Sequence, residues 1–133
     1  IMKWSEEIYR DVFSHPEFRL RENDYVFGDK KFGGNAQYIK KDRWLHHTSF
    51  LWDYAEANMQ YLLHPKKTPS YRAERAHDEF LCRLNTFFPQ KEALIESFIA
   101  ELQKRYAIEA SCLEEALAPS EGARQSTVFV PLS

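Results

Sequence analysis

The sequence predicts an α+β fold: an antiparallel β-meander backed by helices. Three observations carry this. Apolar residues recur at helical spacing at both ends of the chain. Between them, residues 18–52 alternate apolar and polar side chains, as half-buried strands do. Glycine and charged clusters punctuate that region at hairpin intervals. The 133 residues, 44% of them hydrophobic and 15% aromatic, suffice for one core and exclude a disordered chain.

Trp4, Ile8 and Val12 fall on one helical face, with Tyr9 and Phe13 beside it, so residues 4–13 read as a helix. Ser5 with Glu7 nearby marks its start, and Pro16 closes it. Residues 18–27 read as a strand, with Phe18, Leu20, Tyr25 and Phe27 as its apolar positions. GDKK (28–31) is turn chemistry. Residues 32–39 form a second strand weakened by Gly33 and Gly34, KKDR (40–43) a second turn, and residues 44–52 a third strand. Residues 53–63 read as a short helix ended by His64-Pro65. A proline-containing surface loop follows. Phe80, Leu84, Phe87 and Phe88 predict a helix over 77–88, and Leu94, Ile95, Phe98, Ile99 and Leu102 a longer one over 90–106. Residues 1–118 form the domain portion. Residues 119–133 read as a tail or linker in which TVFVPL (127–132) could add an edge strand, Pro131 barring a central one.

The net charge of −2 points toward neither nucleic acid nor an anionic membrane. No run of 18 apolar residues is present, so no bilayer-spanning helix is expected. Cys82 and Cys112 make no disulfide framework, which suggests a reducing, intracellular compartment. His46 and His47 are adjacent in a strand and point to opposite faces, and the other histidines have no ligand spacing. No metal site is expected.

The stretch GDKKFGGNAQYIKKDRWLHHTSFLW (28–52) is the candidate site. Paired glycines weaken a strand, and close approach of a ligand to the backbone is one reason to carry them. A lysine beside them offers a mobile positive charge to phosphate or carboxylate oxygens. Asn35 and Gln37 share a face, which Lys31 and Gly33 join if the strand is regular to its end. The bland alternative, a bulge with solvated lysines, carries equal weight on spacing alone. For His46 and His47 a hydrogen-bonded structural role is favoured.

This stretch resembles the lysine motif of the lipoate–protein ligase A family, in the biotin/lipoate A/B ligase superfamily. That family carries Gly-x-x-Lys-x-x-Gly-Asn/Ser-Ala, followed by a His-His-Gly-Thr-Leu-Leu strand. Gly28, Lys31, Gly34, Asn35, Ala36, His46, His47 and Leu51 fall in register. Weaker likeness runs from about residue 18 to 105. The resemblance implies the class II synthetase and biotin-ligase type of mixed sheet, of which this chain would be the C-terminal half. It implies ATP-dependent, Mg²⁺-assisted attachment of lipoate to a lysine through lipoyl-adenylate. Lys31 would be the catalytic charge, with Gly33, Gly34, Asn35, Ala36 and His47 lining the substrate and adenylate. His46, Arg72 and Arg75 are further candidates, the two arginines at a spacing one residue wider than the family's basic loop. Acceptors would be lipoyl domains of 2-oxoacid dehydrogenase complexes and the glycine-cleavage carrier protein, in the cytoplasm, a mitochondrion or a plastid.

Two departures stand out. Thr48 replaces the glycine after the histidines, and the family's Arg-Arg-x-Gly-Gly-Gly loop is not in this sequence. The missing half of the pocket is expected from an upstream segment of the same or a second chain, which would also cover the sheet's edges. Two other readings compete: octanoyl transfer on the same fold, using a cysteine nucleophile, and a pseudo-enzyme that binds lipoate or lipoyl domains without activating it.

Overall fold

The spacing of Trp4, Ile8 and Val12 is realised in α1, Met2–Phe13, in a computed structural model that describes residues 1–117. The helix begins three residues before Ser5, so Ser5 is no cap. Its buried hydroxyl donates to the Met2 carbonyl at 3.0 Å and lies 2.6 Å from the Tyr25 hydroxyl. Ser14 ends the helix in a left-handed conformation (φ 44°), its amide donating to the Arg10 carbonyl, and Pro16 bars continuation.

Four antiparallel strands follow in sequential order: β1 (Phe18–Arg21), β2 (Asp24–Phe27), β3 (Lys30–Ile39) and β4 (Trp44–Phe50). The expected first strand is thus a hairpin, folded at Glu22-Asn23 with Glu22 at φ 54°. Gly28, at φ 61°, makes the next turn, where a side chain would be strained. Lys30 and Lys31 belong to β3 rather than to that turn.

β3 is not regular. Asp24 and Tyr25 pair with Gly34 and Gly33, whereas Val26 and Phe27 pair with Lys31 and Lys30. Phe32 is therefore one extra residue, a β-bulge, and the side-chain alternation reverses across it.

The inner face of the sheet packs on α1 and on α3 (Lys91–Gln103). Phe13 sits at the centre, its ring 5.0 Å from Phe32, 5.4 Å from Phe18 and 5.5 Å from Phe50. Phe27 and Phe32 stack at 4.3 Å. α3 confirms the predicted periodicity, but only part of its stripe is covered. Leu94 is buried, while Ile95 and Ile99 are 49% and 45% exposed. With Trp4, Tyr9, Phe50 and Trp52 they line an apolar groove of about 670 Å³.

The helix expected over 77–88 is a single turn, α2 (His77–Phe80). Beyond it residues 81–83 are extended, and a 3₁₀ turn follows at Leu84–Thr86. The Cys82 amide donates to the Lys31 carbonyl and the Leu84 amide to the Leu51 carbonyl, so backbone pairing with the sheet replaces the helix. Phe80 joins a small cluster with Val26 and Tyr71 on the outer face, whereas Leu84, Phe87 and Phe88 join the main core. Their helical spacing serves two clusters, not one stripe. Residues 53–63 hold only a 3₁₀ segment, Glu56–Tyr61, with no buried residue. A short α4, Leu113–Leu117, ends the described chain. The tail and edge-strand readings at 119–133 lie outside the described residues.

A candidate anion-binding floor on the outer sheet face

The bulge decides which predicted residues meet. Across β3 and β4, Gly34 pairs with Ser49 and Ala36 with His47. With Asp24 and Lys31 these residues occupy the outer face, away from α1 and α3. Gly33, Asn35 and Gln37, with their partners Phe50, Thr48 and His46, occupy the inner face. The shared floor of Lys31 with Gly33, Asn35 and Gln37 is thus corrected: it required a regular strand.

Lys31 lies over Gly34. A Cβ built on Gly34 would stand 3.4 Å from the Lys31 Nζ, in ordinary contact, so the ammonium lies directly over the glycine. That ammonium donates to Asp24 Oδ1 at 2.7 Å, and the Tyr71 hydroxyl donates to Asp24 Oδ2 at 2.9 Å. Asp24 is buried, so both partners offset the cost of its desolvation. Burial and the Asp24 carboxylate push the Tyr71 hydroxyl well above its ordinary value, which keeps it a donor. Beyond Lys31 the floor opens: Ala36, His47 and Ser49 are exposed. His47 Nε2 lies 3.5 Å from Ser49 Oγ, at the outer limit of a hydrogen bond.

Asp24 and Tyr71 were not among the sequence candidates. The hairpin brings the carboxylate beside a lysine seven positions on, and the loop after the 3₁₀ segment brings Tyr71 from 47 positions away. No local spacing signals either contact.

The two arginines fasten that loop. Arg75 donates from Nη1 to Asp29 Oδ2 at 2.8 Å, and from Nη2 to the Asp29 and Tyr71 carbonyls at 3.0 Å each. Its Nε donates to the Arg72 carbonyl. The Arg72 guanidinium lies 4.8 Å over the Phe80 ring and donates from Nε to the Arg75 carbonyl; its buried Nη2 has no hydrogen-bond partner among the described residues. Both arginines hold segment 71–75 against the Lys31 end of the floor.

On the inner face, Thr48 has a use of its own. The Tyr9 hydroxyl donates to Thr48 Oγ1 at 3.1 Å, and Thr48 donates to Asn35 Oδ1 at 2.7 Å. Asn35 Nδ2 donates to the Asn23 carbonyl at 2.8 Å, tying β3 to the first hairpin. Gln37 Nε2 donates to His46 Nδ1, leaving the opposite ring nitrogen to face Thr48 Oγ1 at 3.3 Å. Burial lowers the His46 pKa, consistent with a neutral imidazole. Asn35 and His46 thus have structural partners, as spacing favoured for His46. Among the described residues no group of three or more His, Cys, Asp or Glu side chains could hold a metal ion. No helix there is long and apolar enough to cross a membrane.

A sheet face with one ammonium, a neighbouring gap and exposed hydroxyl and imidazole groups suits an anionic or carbonyl-bearing ligand lying flat on the strands. These features define an α+β domain with a candidate ligand-binding sheet face. The chain belongs to the lipoyl protein ligase A/B catalytic domain family, which it matches over residues 1–107. It is 45% identical over 76 residues to a Plasmodium falciparum (isolate 3D7) protein named inactive lipoate–protein ligase 2, a match that takes in 48% of this chain. That match spans 20% of the relative's length. No solved structure matches the chain.

Proposed function

We propose that this chain supplies part of the active site of an ATP-dependent lipoate–protein ligase, with Lys31 as its catalytic residue. The observation that carries the reading is the Lys31 ammonium, aimed across Gly34 and held at 2.7 Å by Asp24. In the first step the lipoate carboxylate attacks the α-phosphate of ATP, and pyrophosphate leaves. In the second the amine of an acceptor lysine attacks the lipoyl carbonyl, and AMP leaves with the bonding pair. Negative charge builds on oxygens in both steps, and a fixed cation beside them lowers both barriers. Asp24 and Tyr71 position that cation. Mg²⁺ would serve by neutralising the phosphates of ATP, since both Asp24 oxygens are already engaged by Lys31 and Tyr71. Gly34, Ala36 and His47 would line the ligand. Gly33 and Asn35 would act from the inner face, by close packing and by tying the hairpins.

The rest of the pocket, including the glycine-rich loop, is proposed to come from an upstream segment. Among the described residues no strand pairs with the outer edge of β4, which supports an added strand there. The apolar groove beside it supports the same partner. Acceptors in this reading are lipoyl domains and the glycine-cleavage carrier protein.

Octanoyl transfer through a cysteine is less well supported. Burial pushes the Cys82 thiol up to about 11, and its Sγ is turned to the Lys30 carbonyl at 3.5 Å. The non-catalytic reading is favoured by the relative's name and by the ion pair that offsets the Lys31 charge with Asp24. An intact-mass assay separates them. Apo lipoyl domain is incubated with ATP, Mg²⁺, lipoate and the full-length protein. One lipoyl group should be gained, and Lys31→Ala should slow the gain by about 10²–10³-fold, the usual loss for one electrostatic stabiliser. No gain with lipoate, and none with an octanoyl carrier protein, establishes the non-catalytic binder.

A further inference from the structure

The β3–β4 hairpin is longer than the sheet that carries it. β2 pairs with β3 only as far as Gly34, whereas β3 and β4 stay paired out to Ile39 and Trp44. Residues 35–39 and 44–48 therefore form a two-stranded ribbon beyond the sheet. An isolated ribbon is marginal in water, and α1 supports this one from the inner side. Trp4 packs edge-on against Trp44 with ring centres 5.3 Å apart, and Tyr9 holds Thr48.

The outer side of the ribbon has no such cover among the described residues. Tyr38 and Leu45 are directly paired across the strands and each is 60% exposed. Ala36 and His47 continue the same face inward to Gly34, Ser49 and Lys31. At the tip, Lys40, Lys41 and Arg43 outnumber the single carboxylate of Asp42, in a chain whose net charge is −2. The Lys40 amide donates to the Arg43 carbonyl at 2.8 Å and closes the turn, which fixes the cations at one end of the ribbon. The Lys40 ammonium lies 5.5 Å over the Tyr38 ring.

We infer that this ribbon is the docking surface for the acceptor: a small protein domain with an acidic surface around its target lysine. The inference rests on the ligase reading for its outcome but on the ribbon for its geometry. Opposite charge at the tip steers encounter, and the Tyr38–Leu45 pair offers an apolar anchor beside it. Tyr38 lies four residues past Gly34, about 13 Å along the strand. An ordinary interface covers roughly 800 Å² per partner, so a domain seated on the ribbon also reaches Lys31. The basic patch spans three side chains, too few for the broad footprint of nucleic acid.

The test uses the full-length protein and a fluorescently labelled apo lipoyl domain of a 2-oxoacid dehydrogenase complex. Anisotropy reads binding, and ATP–pyrophosphate exchange with lipoate reads the first half-reaction, which needs no acceptor. The triple variant Lys40→Glu/Lys41→Glu/Arg43→Glu should weaken binding at least tenfold at low salt and remove most of its salt dependence. Exchange should stay unchanged. Tyr38→Ala/Leu45→Ala should weaken binding about fivefold at any salt. Lys40→Arg/Lys41→Arg should bind as the unmodified protein does. Reversing acidic residues of the lipoyl domain to lysine should restore binding to the triple-Glu variant, which rules out misfolding as the cause. Unchanged binding by the triple variant, or equal loss of binding to heparin and to anionic phosphatidylserine vesicles, overturns the docking surface. Absence of exchange in the unmodified protein, with binding intact, overturns the ligase reading alone.

Discussion

The two faces of one four-stranded sheet differ in nearly every respect. The inner face carries Phe18, Tyr25, Phe27, Phe32 and Phe50 and is closed by α1 and α3. The outer face carries Asp24, Lys31, Ala36, His47 and Ser49, and among the described residues only segment 70–82 covers its Lys31 end. A strand normally serves two faces by strict alternation. β3 does so with one interruption, and that interruption lets Phe32 join the core while Lys31 faces the candidate site. The lesson is that stability and ligand chemistry share a strand but few side chains, so substitutions can separate them.

The strongest break of the inner face is Phe13→Ala. It removes the ring that meets Phe18, Phe32, Phe50 and Phe88 and should cost about 3–5 kcal/mol in urea unfolding. Alkali should act on the same face. Burial pushes the Tyr25 hydroxyl up to about 12, against an ordinary value near 10. A raised folded-state pKa means that its contribution is complete below pH 10 and lost as pH rises toward 12. The loss expected from this hydroxyl is about 2–3 kcal/mol; Tyr25→Phe should remove that part and keep the part due to Tyr71, as unfolding at a series of pH values would show.

The adjacent glycines sharpen the comparison. A methyl on Gly33 would meet the Phe50 ring at 3.0 Å and the Tyr25 Cβ at 3.3 Å, so Gly33→Ala should cost about 1–3 kcal/mol through overpacking. A methyl on Gly34 meets only the end of Lys31, in ordinary contact. Gly34→Ala should leave the melting temperature nearly unchanged and still slow lipoyl transfer. Equal destabilisation by both would break the distinction between faces. On the outer face, Tyr71→Phe removes one hydrogen bond to Asp24 and should cost about 1 kcal/mol. The smallest effect is chemical: at pH 8 iodoacetamide should modify exposed Cys112 well before Cys82, as peptide mass mapping would show.

Much of the fold was legible because periodicity is local. α1 and α3 declare themselves through apolar spacing, and the meander through alternation and its Gly28 and Lys40–Arg43 turns. Three features were not. The turn at Glu22-Asn23 lacks a glycine, so two strands read as one. Phe80, Leu84, Phe87 and Phe88 stand at helical intervals yet divide between two clusters, because Cys82 and Leu84 pair with the sheet backbone. A bulge stood as one alternative in the sequence, but its position at Phe32 depends on pairing with β2, which no single strand encodes. For the candidate site, likeness to a known motif named Lys31, Gly34, Ala36 and His47, which the pairing of the strands brings to one face. Asp24 and Tyr71 reach Lys31 only through tertiary structure.

The extra residue in β3 also has a consequence for how this hairpin can change. From Gly33 onward the strand is out of phase with Lys30 and Lys31 by one position. A deletion of Phe32 would restore a regular ladder at the cost of its meaning: either Lys31 would turn inward among phenylalanines, or every residue from Gly33 to the tip would exchange sides. Length in this short segment is therefore under tighter constraint than composition. Substitutions around the lysine should be tolerated far more readily than the gain or loss of one residue.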